Sequence, residues 1–126
     1  VITKEDMMAA LVVACPSLEL EWQRFRDEWR NEEELPLYLA LGTFSRHVIN
    51  MMSLGDTAGF PAIFEAIERL HTDGDEYVRE AATIGILESL QNRNLHSTTK
   101  PEHFHPFLRT ESEKSWNKLQ DFWKNG

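Results

Sequence analysis

The sequence predicts an all-α, single-domain protein of six or seven helices, arranged as antiparallel helix pairs in a HEAT-like or bundle stack. Three observations lead there. Apolar residues recur at spacings of three and four through most of the chain, which is the period of a helix with one buried face. Neither alternating apolar–polar runs nor two-residue hairpin turns occur, so strands have no signal. Pro16, Pro36, Gly55, Pro61, Gly74 and Pro101 fall at the edges of the periodic stretches, where chain-breaking residues belong. A chain of 126 residues suffices for one domain and is short for two.

The first helix is expected from Lys4 to Ala14. Thr3 and Asp6 make a capping-box pattern, with Asp in place of Glu, and Met7, Met8, Leu11, Val12 and Cys15 give an apolar face. Pro16 stops it, because the residue before proline is pushed away from helical angles. Ser17 is placed to cap a second helix, whose stripe is Leu18, Trp22, Phe25 and Trp29. Asn31 to Glu34 is a polar, acidic break. Pro36 opens a third helix running to about Leu54, with Leu37, Leu41, Phe44, Val48, Met51 and Met52 on its buried side, and Gly55 and Asp56 end it.

The stretch from Phe60 to Asn92 is the centre of the chain and reads as a tight helix pair. Pro61 suits a first helical turn, where its missing N–H has no partner to lose. Ile63, Phe64, Ile67 and Leu70 form one stripe. Gly74 is expected to end that helix in the left-handed conformation. Asp75 is expected to cap the next one, with Glu76 favourable near its positive end. In the second helix Ala81, Ala82 and Gly85 are small enough to let another helix approach closely. Arg93 to Lys100 has no periodicity and reads as a surface loop. Pro101 begins a short turn through HFHPFL. Thr110 and Glu113 make another capping box, opening a last helix to about Lys124 with Trp116, Leu119, Phe122 and Trp123 as its apolar groups.

Composition narrows the function. The net charge of −8 argues against nucleic acid as a partner, since phosphate binding needs a basic face. The longest strictly apolar run, Met7 to Cys15, is far below the roughly 20 residues of a membrane span. It lacks a basic leader and a cleavage site, so neither a signal peptide nor a membrane partner is expected. A single cysteine, Cys15, excludes an internal disulfide and fits a reducing, cytoplasmic location.

No chemistry-bearing signature stands out. His103 and His105, with Glu102 beside them, are spaced by two where helical metal ligands sit four apart. A loop role, with Phe104 and Phe107 anchored in the core, is expected instead, and no metal or cofactor. Cys15 lies on an apolar face before a proline and reads as a buried thiol. Ser45, Arg46 and His47 are adjacent and point in different directions on a helix, so they form no dyad. The glycines are scattered and cradle no phosphate. An enzyme is not expected.

Negative charge is unevenly spread. Between Glu65 and Glu88 lie seven acidic residues (Glu65, Glu68, Asp73, Asp75, Glu76, Glu80, Glu88) and two basic ones, Arg69 and Arg79. Glu32, Glu33 and Glu34 add a second cluster. A concentrated negative surface steers a cationic partner and speeds its association.

The segment EYVREAATIGILESL resembles the inner helix of a HEAT-type repeat. That segment, the closing WNKLQDFW and the small acidic all-α profile together resemble toxin-neutralising bacterial immunity proteins, including those of contact-dependent growth inhibition. The resemblance implies a protein that binds a cognate toxin, basic and nuclease-like, and plugs its active site with carboxylates in place of phosphates. The partner-binding residues expected on that basis are Glu65, Glu68, Asp73, Asp75, Glu76 and Glu80. The alternative is a HEAT-like adaptor that docks a peptide or helix of a partner in an exposed apolar groove.

Overall fold

The computed structural model describes residues 1–125, and they form a single all-α domain. Helix α1 is Lys4–Ala14, a 3₁₀ turn Pro16–Leu18 leads into α2 Glu19–Glu28, and α3 is Leu37–Ser53. Helix α4 is Phe60–Asp73. Helix α5 (Glu76–Glu80), a π-helical segment Ala81–Leu87 and α6 (Glu88–Gln91) follow one another as one rod, the junction residues staying helical. Two 3₁₀ stretches, Arg93–Leu95 and Pro101–Phe107, then lead to α7, Thr110–Asn125. Among the described residues no helix is long and apolar enough to cross a membrane.

The central rod packs on α3, α4 and α7, while α1 lies along α4. Gly85 explains the closest of these approaches: a Cβ there would stand 2.6 Å from Leu41 Cδ1 of α3. Gly85, one of the three residues expected to allow close packing, is therefore small where a neighbour needs the room. Phe60 and Phe64 of α4 meet Phe104 and Phe107, with ring centroids 5.0 to 6.1 Å apart. These contacts fasten the Pro101–Phe107 segment to the core, as the anchoring role for Phe104 and Phe107 requires.

The helix ends differ from local expectation in several places. Helix α3 closes as expected: Gly55 is left-handed at φ 72°. The Gly55 N–H donates to Met52 O and the Asp56 N–H to Met51 O, a Schellman pattern. Gly74 is not left-handed; it is extended, at φ −72° and ψ 151°. Its backbone pairs instead with Ile2 in an isolated parallel bridge. Thr3 makes no side-chain cap, and its hydroxyl reaches the Asp6 carboxylate. Ser17 sits inside a 3₁₀ turn and bonds His47 rather than capping α2. The first turn of α7 is capped by Glu68, from α4, which replaces the expected Thr110–Glu113 box. Phe122 and Trp123, expected on the apolar face of α7, are 65% and 60% exposed.

Candidate functional site

The Ile2–Gly74 bridge brings the start of α1 against the start of α5. The Ile2 N–H donates to Asp73 O at 2.8 Å, and the Asp75 N–H donates to Ile2 O at 2.9 Å. Asp75 Oδ1 in turn accepts the Val78 N–H at 2.9 Å, the cap expected of it. Lys4 and Glu5 are thereby set beside Tyr77. Between them and the segment before α3 runs a groove of about 410 Å³. Met8, Trp22, Leu35 and Leu37 give it apolar surface. Glu5, Glu33 and Glu34, all exposed, give it negative charge.

Its aromatic wall is braced. Tyr38 stands edge-on to Tyr77, with centroids 6.1 Å apart. Burial pushes the Tyr38 hydroxyl above its ordinary pKa, and the nearby Glu80 charge raises it further. Glu80 therefore shares the field of this face. Glu76, one turn before Glu80 and next to Tyr77, is exposed beside it.

The six residues expected from sequence are divided between two kinds of use. Glu65 pairs with Arg109 at 3.1 Å, and Asp73 pairs with Arg69 at 3.3 Å. Asp75 is a helix cap. Glu68 holds α7: its carboxylate accepts the Glu111 N–H at 2.9 Å, the Ser112 N–H at 2.9 Å and the Ser112 hydroxyl at 3.0 Å. Burial alone would raise its pKa, but these three bonds outweigh it and hold the carboxyl below its usual range. Glu76 and Glu80 remain exposed on α5, the helix that carries Tyr77. Among the described residues Glu5, Glu33, Glu34, Glu76 and Glu80 make no ion pair. Glu33 and Glu34 are visible in the sequence as a charge cluster with no stated place, and Glu5 carries no sequence signal. The bridge at Gly74 brings Glu5 toward the turn, and the packing of α3 on the central rod brings Glu33 and Glu34.

A second arrangement was not suggested by sequence. Ser17 Oγ lies 2.8 Å from His47 Nε2, and His47 Nδ1 lies 3.3 Å from Glu21 Oε1. Ser45, adjacent to Arg46 in α3, donates to Leu41 O instead. Glu21 is one turn beyond Ser17, so those two share a face, but His47 arrives only through packing of the 3₁₀ turn on α3. The serine–histidine–carboxylate order is that of a nucleophile, base and orienting group. The groove above is lined by other residues, and the chain of bonds straps the Pro16–Leu18 turn to α3. Cys15, beside Ser17, is buried, and burial raises its thiol pKa, so it stays a protonated core group. His103 Nδ1 accepts the Lys100 N–H at 3.1 Å, a loop role. Among the described residues no group of three or more His, Cys, Asp or Glu is placed to hold a metal ion.

The groove presents carboxylates, two aromatic rings and aliphatic surface together. No curated protein and no solved structure matches the chain. A family model matches residues 8–124, nearly the whole chain, and the protein belongs to that family, described as Domain of unknown function (DUF7674).

Proposed function

We propose that the protein binds and neutralises a cationic protein partner, a bacterial toxin whose basic active site it covers with carboxylates. The observation that carries this is the unpaired charge at and near the groove: Glu5, Glu33 and Glu34 line it beside Trp22 and Tyr77, Glu76 and Glu80 are exposed on the helix that carries Tyr77, and among the described residues none of the five makes an ion pair. Charges left unpaired at a rim act over a Debye length, about 8 Å at physiological salt, and govern association more than dissociation. Four of the six residues first expected at the interface have partners within the fold, so the reading rests on Glu76 and Glu80 with the three carboxylates the fold adds.

The test is kinetic. A partner recovered from lysate of the source cells is purified, and association is followed by stopped flow at several ionic strengths. Reversing Glu33, Glu34, Glu76 and Glu80 to Lys should slow association by about tenfold or more at low salt and flatten the salt dependence. An association rate indifferent to both salt and these reversals sinks the proposal.

A second reading, an adaptor docking a helix or peptide, is favoured by one observation. Ile84, Leu119, Phe122 and Trp123 line a further groove between the central rod and α7, and three of the four are exposed. Replacing Phe122 and Trp123 with Ala would abolish binding under this reading and leave it unchanged under the first.

A further inference from the structure

We propose that the groove beside Tyr77 receives a single arginine side chain from a basic segment of the partner, and that Lys4 occupies this place in the free protein. This rests on the reading that the partner is cationic, and it specifies how that partner is gripped.

The groove already shows what it attracts. Lys4 Nζ stands over the Tyr77 ring, 5.9 Å from its centroid. Arg26 Cζ stands over the Trp22 ring, 5.4 Å from its centroid. Both aromatic residues of the groove therefore hold a cation of the chain itself, as the negative face of a ring does. The Lys4 contact lies near the outer limit for such an interaction and is made by a flexible, exposed side chain, so an incoming cation can displace it.

Arginine fits better than lysine for three reasons. Its planar guanidinium stacks on a ring and still directs donors sideways to carboxylates. Glu5, Glu33 and Glu34 supply those acceptors from the same groove. Its three-carbon stem needs apolar surface to lie on, which Met8, Leu35 and Leu37 provide. Lys4 makes no ion pair within reach of these carboxylates among the described residues, so it fills the ring face and leaves the acidic partners unused. An arginine would use both.

The probe is a fluorescein-labelled peptide carrying four arginines separated by glycines, with a matched lysine peptide, measured by fluorescence anisotropy. The variants are Tyr77→Ala, Tyr77→Phe, Lys4→Gln and Lys118→Gln, the last removing the same charge far from the groove. The arginine peptide should bind more tightly than the lysine peptide. Tyr77→Ala should weaken it by about fivefold while Tyr77→Phe keeps it, since the ring and not the hydroxyl makes the contact. Lys4→Gln should tighten it clearly more than Lys118→Gln does. Thermal melts of each variant confirm that folding is unchanged. Binding that is lost with Glu33→Gln and Glu34→Gln but is indifferent to Tyr77 and Lys4 overturns the arginine site and leaves the cationic partner standing. No binding of either peptide to the wild-type protein overturns both.

Discussion

Ile2 lies alongside Gly74 in a parallel bridge, and its carbonyl takes the Asp75 N–H while its own N–H gives to Asp73. Gly74 is required there for space and not for backbone freedom. Its φ of −72° suits any residue, but an added Cβ would stand 2.6 Å from Val78 Cγ1 and closer still to the Leu70 carbonyl oxygen. Backbone atoms at the turn cannot move aside without breaking the bridge. Gly74→Ala should therefore cost about 2–3 kcal/mol, the range of an overpacked core, read as a lower urea midpoint. It should also weaken partner binding, because the bridge sets the Glu5 carboxylate beside Tyr77. A variant as stable as the parent would remove the steric account.

Glu68 and His71 join α4 to α7 and to the central rod, and both predict acid sensitivity. His71 is largely buried: one ring nitrogen lies 3.0 Å from Ile67 O and the other 3.1 Å from Thr83 Oγ1. Burial disfavours its charged form and lowers its pKa below the ordinary 6.5. Glu68 is lowered below 4.5 by its three bonds to Glu111 and Ser112. In both cases the unfolded chain holds its proton more tightly than the folded one. Stability is thus full above the unfolded pKa and falls as pH drops through the folded one. A melting series should show one decline beginning near pH 6.5 and another below about 4.5. Glu68→Gln should remove the second, and Glu68→Ala should cost about 1–2 kcal/mol at pH 7, the worth of a lost helix cap. A Glu68→Gln curve that follows the wild type through the acid limb would contradict this.

Much of the fold was readable because the signals are local. Asp75 caps its helix through an N–H three residues away, and Gly55 ends one within two residues, so each is decided by its neighbours. The apolar stripes of α3 and α4 name their own buried faces. Misreadings arose where distant residues supplied the partner. Ser17 looks like a cap but has His47, thirty positions on, as its partner. Thr110 and Glu113 make a plausible box, yet a carboxylate 43 residues earlier reaches the Glu111 N–H first. Gly74 looks like a left-handed terminator until Ile2 pairs with it. The groove depends on that same bridge, which is why charge counting found Glu76 and Glu80 but could not join Glu5 to them.

The approach of α3 to the central rod is a steric fit between two side positions. At Gly85 a new Cβ would be 2.6 Å from Leu41 Cδ1 and 3.3 Å from Leu41 Cβ. Gly85→Ala should cost about 1–3 kcal/mol by overpacking, and Leu41→Ala about 2–5 kcal/mol by leaving a cavity. The two changes relieve one another, since the smaller residue at 41 makes room for the larger at 85. The double variant should be more stable than the sum of the single losses allows, by 0.5 kcal/mol or more on a double-mutant cycle, roughly the threshold for residues in contact. Strict additivity in urea denaturation would mean that the helices separate instead of the side chain yielding.

The exposed end of α7 separates packing from surface. Trp116 is fully buried, whereas Phe122 and Trp123 lie one to two turns further on and are more than half exposed. Their rings meet edge to face at 5.3 Å. Apolar area that stays in water when the chain folds contributes nothing to stability. Phe122→Ala and Trp123→Ala should each change unfolding free energy by no more than about 0.5 kcal/mol, while Trp116→Ala should cost about 3–5 kcal/mol. Denaturant titrations of the three variants give the comparison directly. If Phe122→Ala or Trp123→Ala proves as costly as Trp116→Ala, the two rings are covered in solution, and sedimentation equilibrium would then show whether a second copy of the chain covers them.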